Sequence, residues 1–95
     1  MAQQYIGTGR LGVAQNAAYT GTRGETTNGI SVGVYKVRVL VTTDAFVTTD
    51  GTVPSATNGA YVPGLAAEYF TVTPGQKVSA VQVSAAGTLY VVELE

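Results

Sequence analysis

The 95-residue chain contains no cysteine, no histidine and no tryptophan. Without cysteine there is no disulfide, no thiolate metal site and no thiol nucleophile. Without histidine, the commonest general base at neutral pH and the commonest metal ligand are both missing. Charge is sparse as well, with five Lys and Arg against six Asp and Glu and a formal net charge of -1. Nucleic-acid affinity comes largely from clustered cations, and here Arg10, Arg23, Lys36, Arg38 and Lys77 are dispersed, so nucleic acid is not an expected partner. No run approaches the roughly 20 apolar residues of a membrane-spanning helix. Residues 1–19 are broken up by Gln, Gly, Thr and Asn where a secretory leader has a basic start and an apolar run. These absences lead to the expectation of a soluble, non-enzymatic protein made in the cytoplasm, with no cofactor, no metal and no membrane partner.

What the chain does contain is glycine, threonine, valine and tyrosine in patterns that favour strands. Residues 1–29 hold isolated apolar side chains at Tyr5, Ile6, Leu11, Val13 and Tyr19 among Gly, Thr, Asn and Gln. The nearest thing to a helix is residues 11–19, too short to persist alone. This segment is expected to be an extended N-terminal arm, ordered by whatever it lies against. Its contact residues toward a partner are expected to be Tyr5, Ile6, Arg10, Leu11, Tyr19 and Arg23. Deleting residues 1–20 should then leave a folded domain.

Residues 30–95 are expected to form an antiparallel β domain. Tyr35, Val37, Val39 and Val41 alternate with Lys36, Arg38, Leu40 and Thr42, the period of two of a strand with one face inward. Ile30, Val32 and Val34 lie in the opposite phase, which beside Gly33 suggests a bulge or a strand buried on both faces. Residues 45–48 and 60–62 read as short strands around a loop whose Asp50-Gly51 and Asn58-Gly59 pairs favour tight turns. From Glu68 to Glu95 the chain reads as one antiparallel meander. EYFTVT, the turn Pro74-Gly75, KVSAVQVS, the turn Ala85-Ala86-Gly87 and TLYVVELE follow in series, and adjacent Val91 and Val92 imply that both faces of the last strand are covered. Six or seven short strands with regular turn signals predict an all-β fold, a small antiparallel sandwich or barrel of jelly-roll-like type.

Candidate chemistry is thin. Gly7-Thr8-Gly9-Arg10-Leu11-Gly12 matches G-x-G-x-x-G, but no strong strand precedes it and no acidic residue lies about 20 positions on, so a flexible arm is the better reading. Asp44 and Asp50 suit local backbone hydrogen bonding in turns better than a catalytic or calcium-binding pair. Glu93 and Glu95 read as the solvated edge of the final strand. Fourteen threonines have no adjacent base to activate them. Tyr35, Tyr69 and Tyr90 are assigned to the sheet, and Tyr5 and Tyr19 to contact with a partner.

The series Tyr69-Phe70, Pro74-Gly75, Lys77-Val78, Ala86-Gly87-Thr88-Leu89 and Glu93-Leu94 resembles the C-terminal half of small structural proteins of tailed-phage virions. The resemblance reaches back through Ala45-Phe46-Val47, Asp50-Gly51 and Ala60-Tyr61-Val62-Pro63, about half the chain. It implies a head decoration or cement protein on the outside of the capsid, with the major capsid protein as partner. It also implies a homo-oligomer, trimer favoured and dimer possible, that stabilises the shell. Two alternatives stand beside this: a head-tail or tail accessory protein, and a carbohydrate-binding module using Tyr61 and the 49–59 loop.

Overall fold

The computed structural model describes residues 11–94, and within them every regular element is a strand. Eight strands follow in chain order: β1 Leu11–Tyr19, β2 Gly24–Glu25, β3 Lys36–Val41, β4 Ala45–Thr48, β5 Ala60–Val62, β6 Glu68–Thr71, β7 Ser79–Gln82 and β8 Gly87–Leu94. They form two four-stranded sheets, β1-β8-β3-β6 and β2-β7-β4-β5, with every pairing antiparallel. The pairs are nested: β1 lies on β8, β2 on β7, β3 on β6 and β4 on β5. Contacts of β8 with β3 and of β7 with β4 complete the sheets.

The alternation seen in the sequence sets the core. Val37, Val39 and Val41 of β3 and Leu89 and Val91 of β8 are fully buried on the inner face of the first sheet. Opposite them lie Ala45 and Val47 of β4, Val62 of β5 and Ala80 of β7. Burying each Val or Leu contributes roughly 1.5–3 kcal/mol, so these inward rows carry most of the cohesion of a sandwich this small.

The all-β antiparallel expectation holds, and of sandwich or barrel the two sheets are sandwich-like, while four local expectations are corrected. Residues 11–29 are not an arm laid outside the domain. Leu11–Tyr19 pairs with β8, continuously from Ala14 to Tyr19 and again at Leu11 after a register shift, and Gly24–Glu25 pairs with β7, so this stretch supplies one strand to each sheet. Residues 1–10 lie outside the described residues, as do the expectations for Tyr5, Ile6 and Arg10. Nor is the segment from Glu68 onward a meander, because β6 belongs to the first sheet, β7 to the second and β8 to the first again. The Pro74-Gly75 turn, closed by the Gln76 N–H donating to the Thr73 carbonyl at 3.2 Å with Gly75 at φ +89°, therefore carries the chain across the sandwich. Seven residues separate β6 from β7, more than a tight hairpin uses.

The phase change near Gly33 marks a turn, not a bulge. The Val34 N–H donates to the Ser31 carbonyl at 3.2 Å, and Gly33 takes φ +85°, a conformation that costs a side-chain-bearing residue. Glu93, finally, is not on a solvated edge. Since β8 is central in its sheet and residue 93 falls on the inward side with Leu89 and Val91, the glutamate is 1% exposed. Its Oε2 accepts the Ser31 N–H at 2.9 Å and the Ser31 hydroxyl at 3.0 Å, and its Oε1 has no partner among the described residues.

Candidate functional site

Two surfaces stand out, and the sequence-predicted residues divide between them. The first is a groove of about 700 Å³ on the outer face of the β2-β7-β4-β5 sheet. Its floor is a row of outward side chains, Val81 of β7 and Phe46 of β4, set side by side by the strand register. Tyr61 of β5 continues the row, edge-on to Phe46 with ring centroids 5.8 Å apart and planes at 76°. That geometry is the edge-to-face arrangement aromatic pairs favour.

One wall of the groove is the 49–59 loop, which is built by its own hydrogen bonds. Asp50 Oδ1 accepts the Thr52 N–H at 3.1 Å and the Thr52 hydroxyl at 2.6 Å, the Asx-type turn expected of that residue. The Thr48 hydroxyl donates to the Thr52 carbonyl at 2.6 Å, and Asn58 Nδ2 donates to the Val53 carbonyl at 3.0 Å. A backbone bridge joins Ser55 and Asn58, and Gly51 and Gly59 take positive φ as their turn pairs predicted. The opposite wall is Gly21, Thr22 and Arg23. Arg23 spans the groove's end, donating from Nη1 to the Gly51 carbonyl at 3.2 Å while lying 3.5 Å from Glu25 Oε2.

Beside the groove, Tyr61 and Asp44 form a second polar unit. The Tyr61 hydroxyl donates to Asp44 Oδ2 at 2.6 Å, and the Gly64 N–H donates to Oδ1 at 2.7 Å. These two donors, the tyrosine first, hold the Asp44 carboxyl below its ordinary range, and the carboxylate in turn pushes the Tyr61 phenol up. Asp50 is lowered in the same way, by the Thr52 hydroxyl and then the Thr52 N–H. Each carboxylate thus serves local backbone and hydroxyl donors. Among the described residues no three Asp or Glu side chains gather into a metal-binding group.

The second surface is one end of the sandwich, where β1 and β3 begin and β8 and β6 finish. The register sets Leu11 and Lys36 on either side of Leu94. Four large apolar residues project here or just beside it: Val32 at 97% exposure, Leu11, Tyr35 and Val13. Val32 occupies the turn that Gly33 completes and Tyr35 directly precedes β3, so both are carried by tight local structure.

Of the contact residues expected from the sequence, Leu11 is on this apolar end and Arg23 is on the groove. Tyr19 belongs to neither surface. It is 1% exposed, its hydroxyl donates to the Thr43 carbonyl at 2.6 Å and accepts the Thr43 N–H at 3.2 Å, and it anchors β1 to the turn between β3 and β4. The expectation that it contacts a partner is corrected accordingly. Sequence reasoning missed Val32 and Tyr35 as exposed surface because their apolar periodicity read as strand. It missed Phe46 because nothing local says which side of a four-residue strand will face out. No protein-family model matches the chain, and neither a curated protein nor a solved structure shows significant similarity to it.

Proposed function

We propose that the protein is a non-enzymatic virion component, a decoration or cement protein that binds the outside of a tailed-phage head and stabilises the shell. The observation that carries this reading is the nested strand pairing. A chain in which first pairs with last, second with seventh, third with sixth and fourth with fifth is one long hairpin folded over on itself. This nesting supports reading the sandwich as a jelly roll, an arrangement found in viral capsid and lectin domains. Fold analogy speaks to the class of role only, and the surface adds the rest. Val32, Leu11, Tyr35 and Val13 form one cluster among the exposed apolar residues, and such a cluster supports a protein contact site at that end. On this reading Leu11, Val32 and Tyr35 face the major capsid protein. The protein is a homo-oligomer on the virion surface. Several weak subunit contacts then act together, which raises attachment well above that of one copy.

The experiment is to add the purified protein to expanded heads lacking it and to analyse washed virions by mass spectrometry. Saturable binding and recovery from virions are expected. No binding to heads together with absence from virions would overturn the reading.

A second reading draws on the groove. Its aromatic row, polar rim and ordered 49–59 wall suit a sugar ring stacked against Phe46 with hydroxyls toward Thr22, Ser55 and Gln82. Glycan-array binding that is lost in Phe46→Ser would favour it over the capsid role.

A further inference from the structure

We infer that β1 is a pairing edge for a second copy of this chain, giving a two-fold dimer in which the β1-β8-β3-β6 sheet continues across the interface. The four edges of the two sheets differ sharply. β2 is two residues long and carries Glu25, β5 is three residues long and runs into Pro63, and β6 is four residues long and starts at Glu68. Short edges, prolines and charges are the usual protections against strand addition. β1 has none of these three over its nine residues, Leu11–Tyr19, and its one irregularity, a register shift between Leu11 and Ala14, lies before the regular stretch Ala14–Tyr19.

The backbone groups available on this edge follow from the ladder. The Thr42 N–H donates to the Thr88 carbonyl at 3.1 Å, one step beyond the pair Val41 and Leu89. In an antiparallel ladder such pairs alternate, so residues 88, 90 and 92 of β8 turn their polar groups to β3 and residues 87, 89 and 91 turn theirs to β1. Their partners on β1 are Tyr19, Ala17 and Gln15. The N–H and carbonyl groups of Ala14, Asn16 and Ala18 therefore point away from the sheet. Gly24 passes against the Ala18 carbonyl, leaving Ala14 and Asn16 as the open pair among the described residues.

That pair is self-complementary. With two antiparallel β1 strands centred on Gln15, Ala14 of each copy faces Asn16 of the other, and the four open groups on each chain meet four on its mate. Four backbone hydrogen bonds result, and no like charges are brought together because the strand has none. The edge is also held in place beforehand. Gln15 clamps the Asn28 backbone from both sides, accepting its N–H at 3.0 Å and donating to its carbonyl at 3.1 Å. Two identical edges meeting antiparallel are related by a two-fold axis, so the inference names a dimer where the resemblance favoured a trimer. Strand addition of this kind draws affinity from main-chain bonds.

It rests on the homo-oligomer part of the capsid reading, and it is tested on the isolated full-length protein, so its failure leaves head binding untouched. Sedimentation equilibrium at micromolar concentration should give twice the 9.7 kDa chain mass. Ala14→Pro removes one outward N–H per copy without touching the ladder to β8. It should raise the dimer dissociation constant about a hundredfold, at roughly tenfold per lost bond. Asn16→Lys, which leaves the backbone donors intact but adds like charges to both strands, should also shift the protein to monomer, and Thr71→Lys on β6 should not. If Ala14→Pro loses its β circular dichroism, Asn16→Lys decides alone. A wild-type mass of one chain or three, or a dimer unchanged in the folded edge variants, would overturn the inference.

Discussion

At the end of the sandwich where β3 turns into β4, side chains of Tyr19, Thr42, Thr43 and Asp44 tie six separate segments together. At the opposite end the side chains of Leu11, Val32 and Tyr35 stand in solvent, and the ties beneath them are mostly backbone bonds, Ile30 with Gln76 and Gly75 and the Val72 N–H to the Tyr35 carbonyl, beside the Glu93–Ser31 contact. The tied end is worked out in polar detail. Besides the Tyr19 bonds, the Thr43 hydroxyl donates to the Ala85 carbonyl at 2.9 Å, Thr42 Oγ1 accepts the Thr88 N–H at 2.9 Å, and the Leu65 N–H donates to the Val41 carbonyl at 2.7 Å. The difference teaches where stability and recognition are separated in a chain too small for a large core. One end closes the loops between sheets through side-chain hydrogen bonds, and the other carries the exposed residues proposed to meet a partner.

The comparison can be broken most severely from the tied end. Leu89, fully buried and paired with Ala17 and Val41, cannot accept a charge. Leu89→Asp should cost several kcal/mol and abolish the cooperative urea transition. A normal melt would mean that the inner face is not where it has been described.

Smaller effects come from the polar ties. Tyr19→Phe leaves the Thr43 N–H and carbonyl without their buried partner, an expected loss of about 1–3 kcal/mol by urea denaturation. Gly87→Ala tests the same cluster from the other side. A Cβ at residue 87 would lie 2.5 Å from Thr43 Oγ1, 2.6 Å from the Tyr19 hydroxyl and 2.7 Å from Thr42 Oγ1. A similar loss of about 1–3 kcal/mol is expected. If either variant is as stable as the parent, the tied end does not hold the loops.

The Asp44 tie carries a pH signature. Its carboxyl is lowered from the ordinary 3.8 by the Tyr61 hydroxyl and the Gly64 N–H. The carboxylate therefore contributes stability that is complete above that ordinary value and is lost as the pH falls through the lower folded value. At the other extreme, Tyr61 is raised above its ordinary 10.0 by Asp44, so its share is complete below that value and is lost as the pH climbs through the folded one. Thermal melts across pH should show both limbs, and Asp44→Asn should flatten the alkaline limb and reduce the acid one, with Asp50 still contributing there.

The smallest stability effect is expected at the free end. Val32→Ser combined with Tyr35→Ser should stay within about 0.5 kcal/mol of the parent, as surface changes usually do, while attachment to heads falls sharply. A large loss of stability there would erase the contrast between the ends.

Much of the local structure was legible in the sequence. β4 and β5 fall where Ala45–Thr48 and Ala60–Val62 were expected, because short apolar runs bounded by Asp-Gly and Asn-Gly pairs leave the chain little else to do. The Val37, Val39, Val41 row was legible for the same reason, a period of two with nothing to oppose it. The partners of the strands were not. Period-two alternation says that a residue faces inward but not which strand lies beside it, so β6, β7 and β8 read as neighbours although consecutive members lie in different sheets. β1 escaped notice because an edge strand of Ala, Asn, Gln and Gly buries little, and its only strong signal, Tyr19, was ambiguous between core and contact. Glu93 was read from its charge, and the Ser31 N–H and hydroxyl that satisfy it are 62 residues away. Of the candidate surface, the 49–59 loop could be foreseen from its turn pairs, whereas the groove it walls requires strands far apart in sequence.

The pairing of β1 with β8 also fixes an order of events during synthesis. Sheet β1-β8-β3-β6 has β8 at its interior, so β1 and β3 cannot become neighbours through it until residues 87–94 have left the ribosome. Until then β1 lacks its β8 partner and β3 can pair only along its β6 edge, and closure joins residues more than 70 positions apart, such as Leu11 and Leu94. Folds that depend on such distant pairings assemble slowly and expose strand edges while they do. Among the described strands, the one synthesised latest thus completes the pairing of the earliest.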